Sequence, residues 1–460
     1  MTDVTPASAE AESLRGLLPG RVFLPGDPGY DEARTPWNTS AQLAPAAVVV
    51  PVSVAEVQAV VRTAVSAGLR IAPMSTGHAG ALLAASDLSG TVLVRLSGFT
   101  GVTVDPEEKI GRVVGGTVWS EVAAAAALFG LAAPHGSAGN VGVVGFTLSG
   151  GVSFYGREYG LAVNRVRAVE LVTADGIVQR VSSHENADLF WAIRGGNGNF
   201  GIVTAIELEL LPHSDVYAGM LLWDLDRAPD VMRAWRDFTQ NTPKSVTTSF
   251  RVMSFPPLPE LPPFLAGRNI VVVDGAILET DDRASDLLAP LRALAPEVDT
   301  FGRIPAPALL GVHMDPLVPT PSVSDHCMLG ELPDGAIDAF LARVGPGTNS
   351  GLMIAELRQL GGAFAERVPD GGAISSVDGA YALFAIAVAP TPEAAAYGAE
   401  AAAGLRSSLT PWSLPGSLLL TFTEHPVGGA DAYGHAGERL ADEAVRLDPL
   451  QVFTAGHGIR

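Results

Sequence analysis

Between Gly136 and Gly160 the chain reads GSAGNVGVVGFTLSGGVSFYGREYG, with glycine at 136, 139, 142, 145, 150, 151, 156 and 160. A regular strand or long helix does not tolerate that spacing, because each glycine forfeits side-chain packing and loses more conformational freedom on ordering than any other residue. In return the backbone can turn through left-handed angles and approach a flat ligand or a phosphate with no side chain between. Tight turns between strands are the plain alternative. The density of glycine over so apolar a stretch favours a ligand-binding loop. No G-x-G-x-x-G string opens a helix here, which argues against an ordinary dinucleotide-binding βαβ unit.

At 460 residues the chain exceeds one ordinary core, so two or three domains are expected. With 47% hydrophobic and 17% charged residues it is a well-buried globular protein. Asp and Glu number 49 against 29 Lys and Arg, and the net charge of −20 repels nucleic-acid phosphates and anionic membranes, so neither partner is expected. The single cysteine, Cys327, excludes an intrachain disulfide and a thiolate metal cluster. The histidines show no H-x-H or H-E-x-x-H spacing, so no metal site is expected. The N-terminus lacks a basic n-region and an apolar h-region, and no apolar run is long enough to span a bilayer; a cytoplasmic protein is the expectation.

In chain order, residues 1 to 45 read as a polar, proline-spotted leader. Val48 to Pro51 reads as a buried strand, and Ser53-Val54-Ala55-Glu56 as a capping box ahead of Val57, Val60, Val61 and Val65 at helical spacing. Gly68 ends that helix and Arg70 to Pro73 returns as a strand, so Met74-Ser75-Thr76-Gly77-His78-Ala79-Gly80 is a loop at a strand's carboxyl end, where α/β sheets gather ligands. Thr91 to Leu96, a hairpin of 102–104 with 110–114, and a helix from Thr117 to Gly130 lead to the glycine stretch. Asp175-Gly176 turns a hairpin, 186–193 is a short helix, and a second glycine cluster, Gly195 to Gly201, enters a strand over 202–211. Beyond Pro212 the texture changes to longer strands (269–273, 352–357, 382–388, 417–422) between helices (229–239, 283–294, 392–409), an α+β arrangement of one open sheet with helices on a face. The proline run 256–263 reads as a semi-rigid connector. Residues 432–447 form a last helix, and the tail after it is apolar enough to dock back on the protein.

Several separate strings in this order carry a resemblance: Ser75-Thr76-Gly77-His78, the stretch Gly136 to Gly160, Asp188-Leu189-Phe190-Trp191-Ala192-Ile193-Arg194-Gly195-Gly196 with Asn199-Phe200-Gly201-Ile202-Val203-Thr204, and Tyr433-Gly434, Arg439-Leu440 and Asp448-Pro449. The chain resembles the FAD-linked oxidoreductases of the vanillyl-alcohol oxidase and p-cresol methylhydroxylase (PCMH) type, in the berberine-bridge-enzyme-like branch. The resemblance implies a PCMH-type FAD-binding domain over 1–212, completed by a C-terminal segment 425–460. It also implies a substrate domain over 213–424, with an antiparallel sheet flanked by helices. It implies that FAD is held by Met74, Ser75, Thr76, Gly77, His78, Ala79, Ser137, Ala138, Val141, Gly142, Gly145, Phe146, Gly151, Gly201, Ile202 and Val203, with the 8α carbon bonded to His78. Relatives with a second attachment use a cysteine where this chain has Ala138.

The activity so implied is hydride transfer from a small, natural-product-like substrate to flavin N5, with O2 as reoxidant. Val141 stands where relatives have a small gatekeeper residue and leaves room for O2; plain core packing is the other reading. Leu419 and Thr421 replace the tyrosine and asparagine that sugar oxidases of this type carry, which argues against a free sugar. A flavin-dependent oxidative cyclase or oxygenase, and a binding protein with a vestigial flavin site, are the alternatives. The oxidation needs a base. Glu356 is the first candidate, either as a carboxyl raised by apolar neighbours or as a strand glutamate paired with Arg358. Tyr155 and Tyr381 follow, the latter also readable as sheet packing.

Overall fold

The computed structural model describes residues 8–257, 259, 265–427 and 429–459. Residues 1–7 of the leader and most of the proline run at 256–263 fall outside them.

The first sheet has four strands, β1 (Val22–Phe23), β2 (Ala47–Val49), β3 (Arg70–Met74) and β4 (Thr91–Arg95), in the order β1-β2-β4-β3. β2, β4 and β3 run parallel, and their interiors are nearly continuous apolar runs, as strands covered on both faces require. The crossover from β2 to β3 is helix α1 (Val54–Ser66), which buries Val57, Val60, Val61 and Ala64. Ser53 Oγ accepts the Glu56 N–H at 3.3 Å, while the Glu56 carboxylate takes the Val52 N–H at 2.7 Å and pairs with Arg21 at 2.6 Å. The capping box is thus present in its serine half, with its glutamate turned to an ion pair.

The second sheet joins β5 (Val102–Asp105), β6 (Ile110–Val114), β7 (Val166–Val172), β8 (Val178–Ser182) and β9 (Ile202–Glu209) in the order β5-β6-β9-β7-β8, antiparallel throughout. Asp175 sets the β7–β8 turn: its Oδ1 accepts the Ile177 N–H at 3.1 Å and the Thr173 hydroxyl at 2.6 Å. Three helices pack beside this sheet: α2 (Trp119–Ala127), α3 (Val143–Leu148) and α4 (Ala187–Gly196), sharing a core of Trp119, Val143, Leu148, Phe190 and Ile193.

The third sheet has eight antiparallel strands, β10 (Asp215–Asp224), β11 (Val246–Ser254), β12 (Asn269–Ile277), β13 (Val298–Asp299), β14 (Gly302–Pro305), β15 (Ser322–Leu329), β16 (Ile354–Gln359) and β17 (Tyr381–Val388). Their order is β13-β10-β12-β11-β16-β17-β15, with β14 on β10. One face carries α5 (Ala228–Asn241), α6 (Asp281–Arg292), α7 (Asp334–Val344) and α8 (Pro392–Ser408), over a core that includes Trp235, Phe250, Leu288, Phe340, Leu383 and Leu405. The expected α+β sheet with helices on one face is what forms.

The strand expected over 417–422 does not form. After Pro415-Gly416 the backbone is irregular: Leu419 N–H goes to His326 Nε2 at 3.1 Å, and Phe422 N–H turns back to Leu419 O at 2.9 Å. Those groups are therefore taken by a side chain and a turn, and no strand ladder is built. At the C-terminus, α9 (Gly437–Leu447) is followed by a tail that docks on β3. Ile71 N–H bonds Val452 O at 2.7 Å, Thr454 N–H bonds Ile71 O at 2.8 Å, and the Asp448 carboxylate accepts the N–H groups of Val452 and Phe453. Among the described residues no helix is long and apolar enough to cross a membrane.

Candidate active site

A cavity of about 390 Å³ lies where three parts of the chain meet: the loop after β3, the glycine stretch, and the helix-free face of the eight-stranded sheet. The docked C-terminal tail adds Ala455, Gly456 and His457 to its wall.

The loop after β3 is shaped by Gly77. Its φ is +82°, and a Cβ there would lie 2.6 Å from Pro36 Cβ, so only glycine fits. The turn presents His78 to the cavity. The imidazole stacks on Trp37 with ring centroids 4.2 Å apart and planes at 14°, and its Nδ1 lies 2.8 Å from Thr76 Oγ1. Nε2 is buried with no hydrogen-bond partner among the described residues. Burial disfavours the cation and brings the pKa down to about 4, against the smaller opposing effects of Asn140 and Asp315. His78 is therefore a neutral imidazole near pH 7.

The glycine stretch does not run as a strand. Its first part hangs on the start of α2 through Ser120 N–H to Gly139 O at 2.8 Å, Trp119 N–H to Val141 O at 3.1 Å and Val143 N–H to Thr117 O at 3.0 Å. It then enters the short helix α3. At Gly142 a Cβ would come 2.7 Å from Ser75 Oγ, so this loop and the His78 loop interlock with no room for a side chain. At Gly145 a Cβ would meet nothing within 4 Å, because the space there is cavity.

Of the residues expected at the cofactor, Met74, Ser75, Thr76, Gly77, His78, Ala79, Ser137, Ala138, Val141, Gly142, Gly145, Phe146, Gly201 and Val203 line this cavity. Gly151 and Ile202 do not. A Cβ at Gly151 would meet Ala162 Cβ at 2.7 Å, and Ile202 is fully buried in the core between the first two sheets. Each neighbours a lining residue, but the chain turns its own atoms inward.

The sheet wall follows strand alternation. Ile354 and Arg358 of β16, Phe384, Ile386 and Val388 of β17, and Ser322 and Ser324 of β15 line the cavity. Their neighbours Leu357, Leu383, Ala385 and Cys327 belong to the helix-covered core. Tyr381 lies with that core, its hydroxyl 2.7 Å from Thr239 Oγ1, so the structure places it on the far face. Tyr155 is also outside the cavity, stacked on His213 with centroids 5.8 Å apart, and burial pushes its phenol well above the usual range. Cys327 is likewise remote, its thiol pushed up to about 12 by burial.

Glu356 needs a correction. The pairing with Arg358 is present, but the carboxyl is neither raised nor at the strand surface: it is buried beneath the cavity wall, in a cluster with Arg358, His313, Asp274 and Arg251. Arg358 Nε donates to Glu356 Oε1 at 2.6 Å, and His313 Nε2 lies 3.4 Å from Oε2. His313 Nδ1 and Arg251 Nη2 reach Asp274 Oδ2 at 2.7 and 2.6 Å. Burial alone would push the Glu356 carboxyl up, but Arg358 and His313 outweigh it and hold the pKa down to about 2. For His313, burial and Arg251 act downward and are outweighed by Asp274 and Glu356, which raise it to about 9. A protonated His313 gives its Nε2–H to Glu356. Arg358 is sandwiched at the cavity wall between the rings of Phe154 and Phe422, 5.4 and 5.1 Å from their centroids.

Sequence reasoning missed the remaining polar lining. Leu419 packs into a core cluster, while Leu420, Thr421 and Phe422 face the cavity. Glu424, two residues beyond Phe422, also lines it and accepts the Ser324 hydroxyl at 2.8 Å. Burial pushes its carboxyl up to about 7. Trp37 and Asp315 join the lining from connecting segments without motif character. Only the proximity of Glu424 to the singled-out Leu418 to Phe422 string could have flagged it.

The FAD binding domain family matches residues 45–182. Over 208 residues the chain is 35% identical to the (R)-6-hydroxynicotine oxidase of Paenarthrobacter nicotinovorans, covering 45% of each protein. Over 205 residues it is 34% identical to the xylooligosaccharide oxidase of Thermothelomyces thermophilus, covering 44% of this chain and 41% of the relative. The matched part thus spans about half the length of these curated relatives, or a little less. The fold superimposes on Physcomitrella patens BBE-like 1 with a TM-score of 0.82 at 21% identity, over 98% of this chain and 99% of the other.

Proposed function

We propose, for a chain whose residues 45–182 form an FAD-binding domain on a berberine-bridge-enzyme-like fold, that the protein is an FAD-linked oxidase of a small, largely apolar molecule. The single observation that carries this reading is the neutral His78 imidazole, whose Nε2 is buried in the cavity between the two interlocked loops with no hydrogen-bond partner among the described residues.

The residues present fit FAD. The space beside Gly145 is a cradle that any side chain would fill, and the loops at 74–80 and 136–145 bring backbone N–H groups, the donors a pyrophosphate needs where few cations are at hand. Bound there, FAD would accept hydride from substrate carbon and return the electrons to O2 as peroxide. His78, oriented by Thr76 and Trp37, would hold the cofactor by a covalent bond to its 8α carbon; Ala138 supplies no second tether. Val141 keeps the wall beside the cofactor small enough for O2 to enter. Phe384, Ile386, Phe422 and Ile354 exclude water and offer an apolar seat for substrate. Glu356 serves Arg358 as a positioning residue, fixing its guanidinium between two rings. The first two sheets with the C-terminal tail form the FAD-binding part, and the third sheet forms the substrate part.

The experiment is expression with FAD followed by anaerobic titration with a panel of small alcohols and amines. The reading expects a yellow protein whose flavin absorbance bleaches with at least one compound and returns on admitting O2 with release of peroxide. A colourless protein with no affinity for FAD would overturn it.

A further inference from the structure

We propose that Glu424 is the catalytic carboxylate that takes the proton from the substrate as it is oxidised in this cavity. The inference rests on the flavin-oxidase reading above and adds the residue that this reading leaves unassigned once Glu356 is locked under Arg358.

An alcohol or amine that gives up hydride from carbon must also lose the proton on its oxygen or nitrogen, and an acceptor has to stand within reach. Among the described residues, the ionisable side chains lining the cavity are His78, Asp315, Arg358, Glu424, Tyr433 and His457. His78 is the tether. Arg358 is a cation bound to Glu356. Asp315 stands on the glycine-wall side, next to Pro316, whose carbonyl accepts Asn140 Nδ2 at 3.1 Å. His457 is held in the docked tail, its ring Nε2 3.0 Å from Leu420 O and its carbonyl accepting from Asn199 at 2.8 Å and from Tyr433 Oη at 3.1 Å. Burial pushes the Tyr433 phenol well above its usual range, so it keeps its proton.

Glu424 differs from all of these. It reaches the cavity from the sheet side, beside Phe422, and among the described residues its bonded partner is the neutral hydroxyl of Ser324. Among the described residues, the elements packed around it bring no cation to its carboxyl. On β15, Asp325 turns away to Arg406 at 2.7 Å, and His326 is held by Leu383 O and Leu419 N–H. The cavity face of β17 carries Phe384, Ile386 and Val388. His425 is the titratable neighbour in its own segment. A carboxyl so placed is poised near pH 7, as a general base should be.

With FAD bound, the substrate C–H bond would break with its electron pair passing as hydride to the cofactor, the O–H or N–H proton would move to a Glu424 oxygen, and the C–O or C–N bond would become double. The proton then leaves Glu424 to solvent, and O2 reoxidises the cofactor.

Infrared difference spectroscopy on the FAD-loaded protein, titrated between about pH 5 and pH 9, tests this without any substrate. A protonated-carboxyl band should disappear near neutral pH in the wild type and be missing in Glu424→Gln. In Ser324→Ala its midpoint should move upward, since a hydrogen bond to the anion is lost. With a compound that bleaches the flavin, Glu424→Gln should slow reduction about 10²-fold while Glu424→Asp restores part of the rate. A band that persists in Glu424→Gln, no acid band near neutral pH, or an unchanged reduction rate would overturn the assignment. FAD content, read from visible absorbance in every variant, separates that outcome from failure of the flavin reading itself.

Discussion

The two walls of the cavity are built on opposite plans. The glycine wall is backbone: Gly77, Gly142 and Gly145 are needed because a Cβ would clash or would fill the cavity, and the chemistry is concentrated in one side chain, His78. The sheet wall is side chain: alternate residues of β15, β16 and β17 project into the cavity, held from below by the buried cluster of Arg251, Asp274, His313, Glu356 and Arg358. One wall can present a peptide surface to a large cofactor, and the other can vary its residues to suit a substrate without disturbing the first.

That contrast can be broken from either side. The largest effect is expected in the sheet wall's support. Asp274→Ala leaves buried Arg251 and His313 without their carboxylate and should destabilise the protein by about 3–5 kcal/mol, measured by chemical denaturation. On the glycine wall, Gly77→Ala forces a Cβ against Pro36 at a left-handed φ. It should cost about 1–3 kcal/mol and sharply lower FAD incorporation, read from the visible spectrum of purified protein. An unchanged FAD content would remove the claim that backbone shape makes this wall.

The smallest effect sharpens the comparison, because the walls should respond to pH in opposite directions. Before cofactor is attached, His78 titrates near 4 in the folded protein, against about 6.5 in the unfolded chain. Between those values the unfolded chain binds more protons, so the loop after β3 loses stability as pH falls through that window. His313 is raised to about 9, so its contribution is complete below about 6.5 and is lost as pH rises toward 9. Amide hydrogen exchange corrected for intrinsic rate should show Ser75 to Gly80 loosening on acidification and β16 loosening on alkalinisation. Parallel behaviour of the two segments would contradict the assignment.

The same contrast explains what the sequence discloses. Glycines and the His78 loop are contiguous, so fourteen of the sixteen expected cofactor residues do line the cavity. Gly151 and Ile202 fail because a motif marks a segment, not the side of it that faces inward. The sheet wall is assembled from residues far apart in the chain, Ser324, Arg358, Phe384 and Glu424 among them, and only strand pairing brings them together. Glu356 shows a second limit. Apolar neighbours in sequence suggested a raised carboxyl, but Arg358, His313 and Arg251 reverse the sign, and the last two come from distant segments. The segment 417–422 has strand composition but loses its N–H groups to His326 and to a turn, a competition that composition does not reveal.

The central claim is that this cavity holds FAD through His78. Trypsin cuts after Arg70 and Arg95, and mass spectrometry of the peptide between them, from denatured protein prepared with FAD, tests that claim most directly. The account predicts a peptide carrying the added mass of FAD, with fragmentation placing it on His78, and none in His78→Ala. A peptide of unmodified mass from a yellow wild-type protein would contradict the tether.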